Sequence, residues 1–275
     1  MSFLETILEP GRLSVLFQPI MELREEHPRL WAVEALVRGP GASSLEPAPI
    51  LFDYVRRKRA EAVVDRACVT AILDAAVALP PSLDFSMNIH AVTLSRDPEF
   101  LCFLTDAAEA RSIPLSRLTV EIVEHAPEWA DSGLAEGLDA LRHIGIRIAL
   151  DDVGLGQSNY RMMLDCKPDY FKIDRHFVKG SHCDFYRQAV LESVAQLARR
   201  FGARVIAEGI EDPVDLDTVR SLGIDLGQGY LFAAALAPPA LASSGFWEGP
   251  APSGTTPEAN RRPRPWARPE RREEV

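Results

Sequence analysis

The segment Asp151-Asp152-Val153-Gly154-Leu155-Gly156-Gln157-Ser158-Asn159 carries the densest chemical signal in the chain. Its two adjacent carboxylates close the apolar run Ile146–Leu150, which reads as a buried strand. Two ionised carboxylates at such a strand end repel each other and lose water, so they persist only where cations compensate them. Gly154 and Gly156 let the backbone fold back over whatever the acids hold. A metal site under a glycine loop is one reading. An ordinary strand-to-helix turn with Asp152 as helix cap is the other, and the segment by itself does not choose between them.

The remaining strand ends do. Apolar runs elsewhere in the chain carry, at or near their C-terminal ends, Glu34 and Arg38, Asn88, Glu121 and Glu124, Lys172 and Asp174, Glu208 and Glu211, and Gln228. A lone glutamate in a run such as Trp31-Ala32-Val33-Glu34-Ala35-Leu36-Val37 is explained by a structural ion pair. Repetition of that accident at almost every strand end is not. These groups are oxygen donors, with no cysteine and no histidine pair at metal spacing among them, which favours magnesium or manganese over zinc. The carboxylates outnumber what one divalent ion needs, so two ions are expected. Paired ions polarise a phosphoryl oxygen and generate hydroxide near neutral pH. Lys172, kept protonated by its acidic neighbours, would orient the water or steady a transition-state oxygen. Arg38 offers a fork to a phosphate oxygen. The chemistry this predicts is phosphoester hydrolysis.

Such convergence requires a particular scaffold. Candidate strands are 13–23, 30–37, 85–89, 118–123, 147–153, 170–173, 204–207 and 227–232, and clear helical patterns cover 60–78, 99–111, 132–144, 184–201 and 213–222. Alternation of this kind predicts an α/β fold, a β/α barrel whose strand ends meet at one rim. The link Arg24–Arg29 is too short for a helical crossover, so the first two strands should run antiparallel. An open doubly wound sheet is the alternative, but Gln18-Pro19-Ile20 stands near where its glycine fingerprint belongs.

Composition bounds the rest. The chain has 275 residues, 47% of them hydrophobic, enough for one large core or two modest ones. Its net charge of −10 argues against nucleic-acid polymers and anionic membranes as partners, though not against a small anion bridged by metal. No run is long enough to span a membrane, and the start MSFLETILEP shows no export signal, so a cytoplasmic location is expected. Cys68, Cys102, Cys166 and Cys183 lack zinc spacing; Cys68 and Cys102 lie in apolar helical patterns and are expected in the core. The domain is expected over residues 1–243. Residues 244–275, rich in proline, arginine and glutamate, read as a disordered tail. His90 and His125 read as hydrogen-bonded loop residues, and His176 and His182 show no ligand spacing.

The ordered blocks Gln18-Pro19-Ile20, Glu34-Ala35-Leu36-Val37-Arg38, Asn88, Glu121-Ile122-Val123-Glu124, Asp151-Asp152, Lys172-Ile173-Asp174, Glu208-Gly209-Ile210-Glu211 and Gln228-Gly229-Tyr230 resemble the EAL-domain family over about residues 10–240. The resemblance implies a modified TIM (β/α)8 barrel with one antiparallel strand, the first. It implies a metal-dependent phosphodiesterase that opens cyclic di-GMP to linear pGpG. By resemblance, Glu34, Asn88, Glu121 and Asp151 hold one ion, and Asp151, Asp152 and Glu208 hold the second. Lys172 stands beside the attacking water. Gln18, Leu36, Arg38, Asp174 and Gln228 face the nucleotide, and Glu124 and Glu211 support the loop and the acidic rim. Mg2+ or Mn2+ as a pair, cyclic di-GMP as ligand and a homodimer follow by the same analogy. A catalytically silent receptor for the dinucleotide is the competing function, disfavoured because no ligand position is lost. The chain departs from the family at Val153, Leu155 and Ser158-Asn159 in the glycine loop, and at Gly39, where tryptophan is frequent.

Overall fold

The computed structural model describes residues 3–24, 27–123, 132–154 and 160–244. In chain order its elements are α1 (Phe3–Leu8), β1 (Ser14–Glu22), β2 (Arg29–Arg38), α2 (Ala48–Lys58), α3 (Glu61–Ala76), β3 (Asp84–His90), α4 (Ala91–Arg96), α5 (Phe100–Glu109), β4 (Leu118–Val123), α6 (Ser132–His143), β5 (Arg147–Val153), α7 (Tyr160–Cys166), β6 (Tyr170–Ile173), α8 (Arg175–Val178), α9 (Phe185–Phe201), β7 (Arg204–Ala207), α10 (Pro213–Ser221), β8 (Leu226–Gly227) and α11 (Pro238–Ala242). The strands close into one barrel in sequence order. β1 pairs antiparallel with β2 and with β8, and every other neighbouring pair is parallel. The expected architecture, including its reversed first strand, is therefore the one observed.

Strand parity sorts the side chains. Because successive residues of a strand face opposite sides, each strand sends one set outward to the helices and the other inward. The outward set, including Val33, Phe85, Met87, Val120, Ile148 and Phe171, joins the helical faces in one large hydrophobic cluster. The inward set forms a separate, smaller cluster of Ile20, Ala32, Ala149, Tyr170, Ile206 and Leu226. The barrel interior is thus its own layer, and it is the floor on which the polar rim stands.

Capping fixes where helices start. Asp184 accepts hydrogen bonds from the amides of Tyr186 and Arg187 at the head of α9, and Asp212 accepts from Val214 at the head of α10, with Pro213 in the first turn. Asp174, directly after β6, caps α8 through the amide of His176.

Two expectations need correction. The last strand was expected over 227–232, but pairing stops at Gly227. Beyond it, Gln228 accepts from the Ile210 amide and Leu231 donates to the Ile210 carbonyl, so the chain is drawn onto the loop after β7 instead of continuing beside β1. Cys102 is exposed, whereas Cys68 is buried. Helix α5 buries Phe100, Leu104 and Ala108, four residues apart, and Cys102 falls on the opposite face of that stripe.

One buried acid anchors the helical shell to the barrel. Asp65 of α3, 1% exposed, accepts hydrogen bonds from the His90 amide, from the His90 ring at 2.8 Å and from the Thr93 hydroxyl at 2.5 Å. It thereby pins the end of β3. Asp65→Ala leaves those buried donors unanswered, and we expect it to cost about 2–3 kcal/mol of stability. Denaturant unfolding followed by circular dichroism measures this; a midpoint matching the parent would show the clamp to be dispensable.

Candidate functional site

The rim is organised around a single ammonium group. Lys172 leaves β6 toward the barrel interior and is 1% exposed. Its Nζ lies 2.6 Å from Glu121 Oε2 (β4), 2.7 Å from Glu208 Oε1 (after β7), and 3.4 Å from both Glu34 Oε2 (β2) and Asp151 Oδ1 (β5). Four strands thus place a carboxylate against one lysine. The amides close the ring. Asn88 on β3 donates to Glu34 Oε1 at 3.1 Å, and Gln228 after β8 donates to Glu34 Oε2 at 2.8 Å and to Glu208 Oε1 at 3.2 Å. Across β3 and β4, Asn88 and Glu121 are direct register partners.

The acids are not equivalent. Burial alone would lift Glu34, but Lys172 and the hydrogen bonds from Gln228 and Asn88 outweigh it and hold the group below its ordinary value. Glu121 is pushed up to about 8, first by burial and then by the charge of Glu34, against the pull of Lys172. Burial also holds Glu208 well above the carboxylate range, with Asp151 and Glu34 adding to the effect and Lys172 opposing it. Burial would lower the ammonium of Lys172; Asp151, Glu121, Glu208 and Glu34 together more than reverse that and keep it charged. One cation does not satisfy four clustered carboxylates, so part of the ring keeps its protons at neutral pH.

Asp151 and Asp152 sit on an irregularity. The pairing of β5 with β6 shifts between Leu150 and Val153, and Asp152 takes a left-handed backbone with φ 52°. Such bulges re-aim side chains beside functional sites. Asp151 turns to the ring, while Asp152 is exposed on the rim side of the turn. Gly154 follows with φ 97°, and a Cβ there would lie 2.9 Å from the ring of Phe177. A side chain there would press on that ring and sit at a backbone angle that favours glycine.

The structure brings Glu34, Asn88, Glu121, Asp151, Lys172, Glu208 and Gln228 into one hydrogen-bonded and ion-paired cluster. Other expected site residues lie around it. Gln18 donates to the carbonyl of Ala233 at 3.4 Å, and the half-buried Arg38 turns one nitrogen to the Val37 carbonyl. Leu36 is half-buried on β2 between Glu34 and Arg38. Asp174 is engaged as the α8 cap, and Glu211 pairs with Lys179 at 2.6 Å. Glu124, His125, Leu155 and Asn159 lie outside the described residues, as does the tail after Ser244. At Gly39 a Cβ would stand 2.0 Å from the Leu45 carbonyl oxygen, so the close return of the chain after β2 excludes the bulky residue frequent in the family.

Sequence reasoning placed Gln228 against the nucleotide and missed its bonds to Glu34 and Glu208. It also missed Asp65, although the signal was present: an acid at helical spacing with Cys68, Val69 and Ile72 belongs to a buried face. Among the described residues, no helix is long and apolar enough to cross a membrane.

The ring's donors are carboxylate and amide oxygens, the kind hard divalent cations take, and Glu121 Oε1 is buried without a hydrogen-bond partner among the described residues, although no three of the described acids already stand in ligating geometry around one point. Glu34, Asn88, Glu121, Asp151 and Glu208 are the groups that would hold such ions, with Asp152 at the edge.

Comparison with known proteins follows the same lines. A family model described as the EAL domain matches residues 2–235. An uncharacterized protein of Sinorhizobium fredii, y4lL, is 29% identical over 236 residues, covering 83% of this chain and 27% of that one. The probable cyclic di-GMP phosphodiesterase PdeG of Escherichia coli is 36% identical over 115 residues, covering 42% of this chain and 23% of PdeG. The chain therefore spans about a quarter of the length of these curated relatives. Among solved structures, Klebsiella pneumoniae BlrP1 in a calcium and cyclic di-GMP complex superposes with TM-score 0.73 at 25% identity, covering 82% of this chain and 56% of BlrP1. A manganese and cyclic di-GMP complex of BlrP1 gives TM-score 0.72 at 26% identity.

The protonation pattern has a measurable consequence. A carboxyl whose folded pKa is raised favours the fold below its unfolded value and loses that contribution as pH climbs through the folded value. For Glu121 that window runs from about 4.5 to about 8. The lowered acids Glu34, Asp215 and Asp225 have made their contribution by about pH 5. Protein treated with chelator should therefore lose thermal stability between pH 5 and pH 8, and added Mn2+ should restore it at pH 8 while doing little at pH 5. A metal-free midpoint that rises across this range in differential scanning fluorimetry would contradict the assignment.

Proposed function

The chain belongs to the EAL domain family, and on that premise we propose that it is a phosphodiesterase that hydrolyses cyclic di-GMP to linear pGpG with two divalent ions, Mg2+ or Mn2+. The observation that carries this reading is the convergence of Glu34, Glu121, Asp151 and Glu208 on Lys172. A site this negative attracts a dianionic dinucleotide only through bound cations. The complexes of BlrP1 named for cyclic di-GMP with calcium or manganese support the same ligand chemistry.

Glu34, Asn88, Glu121 and Asp151 would hold one ion, and Asp151, Asp152 and Glu208 the other. The ions, when bound, would polarise a phosphoryl oxygen and lower the pKa of water. The chain's own groups do the rest. Lys172, held charged and buried, aims a proton donor at the oxygens of the attacked phosphoryl group and orients the water. Arg38, on the outer turn of β2, offers its guanidinium to a phosphate oxygen. Gln228 fixes Glu34 and Glu208 relative to each other, so its role is positioning as well as lining. Leu36 and Gln18 supply the wall beside the nucleotide. Water attacks phosphorus, the bond to one ribose 3′ oxygen breaks, and that oxygen takes a proton to leave linear pGpG.

Purified protein incubated with cyclic di-GMP and Mg2+ or Mn2+ should yield pGpG on chromatography. Tight nucleotide binding with no product would favour the silent receptor. Glu34→Ala should abolish turnover with the fold intact, and retained turnover would refute its metal role. Lys172→Ala should cut kcat by about two to four orders of magnitude while metal still binds; lost metal affinity in that variant would contradict the role assigned to it. Ca2+ should bind yet turn over poorly, because its longer and looser coordination misplaces the water.

A further inference from the structure

The layer beneath the acidic ring is not completely filled. Barrel interiors of this class are ordinarily filled by bulky branched side chains. Here Ala32, Ser86 and Ala149 share the layer with Ile20, Tyr170 and Ile206, and a partly open cavity of about 20 Å³ remains among them. That volume accommodates one water and nothing larger. Its wall also includes Thr119 and Glu121. Two oxygens of lining residues, Ser86 Oγ and Glu121 Oε1, are buried and lack a hydrogen-bond partner among the described residues. Ser86 is 4% exposed and Glu121 0%. Strand register explains their proximity. Ser86 of β3 is the direct partner of Thr119 on β4, and Glu121 projects on the same side of β4 one layer higher.

We propose that this cavity is an internal water site and that Ser86 is a positioning residue, acting through that water on Glu121. The water bridges Glu121 Oε1 to the hydroxyls of Ser86 and Thr119, accepting from Oε1 while Glu121 keeps its proton and donating to it once a cation has taken the proton's place. Thr119 has capacity for this, since its Oγ1 accepts one bond, from Arg147 at 3.3 Å. Glu121 Oε2 is already held by Lys172 at 2.6 Å. A carboxylate gripped at one oxygen still swings about its broad terminal torsion; gripped at both, it is fixed. The water therefore sets the orientation in which Glu121 meets a cation from above. This deepens the functional reading and rests on it for the cation, but the water site stands on the cavity and the two oxygens alone.

The test uses the full chain. A crystal structure at a resolution that shows ordered water should place one peak within hydrogen-bond reach of both Ser86 Oγ and Glu121 Oε1; an empty cavity overturns the site. Two variants test the role. Ser86→Val fills the cavity and expels the water, and Ser86→Ala removes the hydroxyl. Mn2+ binding is read by isothermal titration without nucleotide, beside the thermal midpoint of the metal-free protein. Ser86→Val should weaken Mn2+ binding by about 10–100-fold with the midpoint unchanged or raised. Ser86→Ala should move affinity in the same direction. Unaltered Mn2+ affinity in Ser86→Val, or a loss that merely follows a falling midpoint, overturns the positioning role. A parent chain that binds no Mn2+ would instead fail the functional reading, and the water peak then judges the site by itself.

Discussion

Everything at the barrel mouth depends on the compensation of clustered negative charge by Lys172. Four carboxylates from four strands crowd within 3.4 Å of its Nζ. In a low-dielectric interior such a group is stable only if each acid is paired, hydrogen-bonded or protonated. The chain uses all of these. Lys172 supplies the charge, Asn88 and Gln228 supply neutral donors, and Glu121 and Glu208 keep protons. The result is a closed ring of acids and amides that one lysine holds together.

Barrel geometry makes this arrangement possible without sacrificing the core. Parity separates an outward hydrophobic layer, which packs the helices, from an inward one, which supports the rim. Acids on the inward face therefore cost the helical core nothing. Small residues in the middle layer relieve crowding under the ring, and the price is a cavity that polar atoms must share with water.

The irregular segments sharpen the site. Strand parity turns Asp151 to Lys172 and Asp152 away from it, and the irregularity in β5 then returns Val153 to the outward hydrophobic layer. The turn that follows is packed on Phe177 of α8, and α8 itself begins at the cap supplied by Asp174. Residues shortly after Lys172 thus pack against the turn at Gly154 that follows the paired acids. On the opposite wall, Asp65 and His90 lock the end of the strand that presents Asn88.

The linear sequence was sufficient for the alternation of strands and helices, for the antiparallel entry forced by a short link, and for the acids at strand ends, because these are local properties of spacing and residue type. It was also sufficient for the donor types, carboxylate and amide oxygens without cysteine or a spaced histidine pair, since these are residue identities. Tertiary structure alone decided which of those groups meet. Gln228 became a brace between Glu34 and Glu208, Asp174 a helix cap and Glu211 the partner of Lys179, because barrel register and the turning of the chain after Gly227 set distances that no spacing encodes. The inequality of the acids is of the same kind: Glu34 and Glu121 are both glutamates on inward strand faces, and only burial and the arrangement of neighbours around one ammonium make one release its proton and the other keep it.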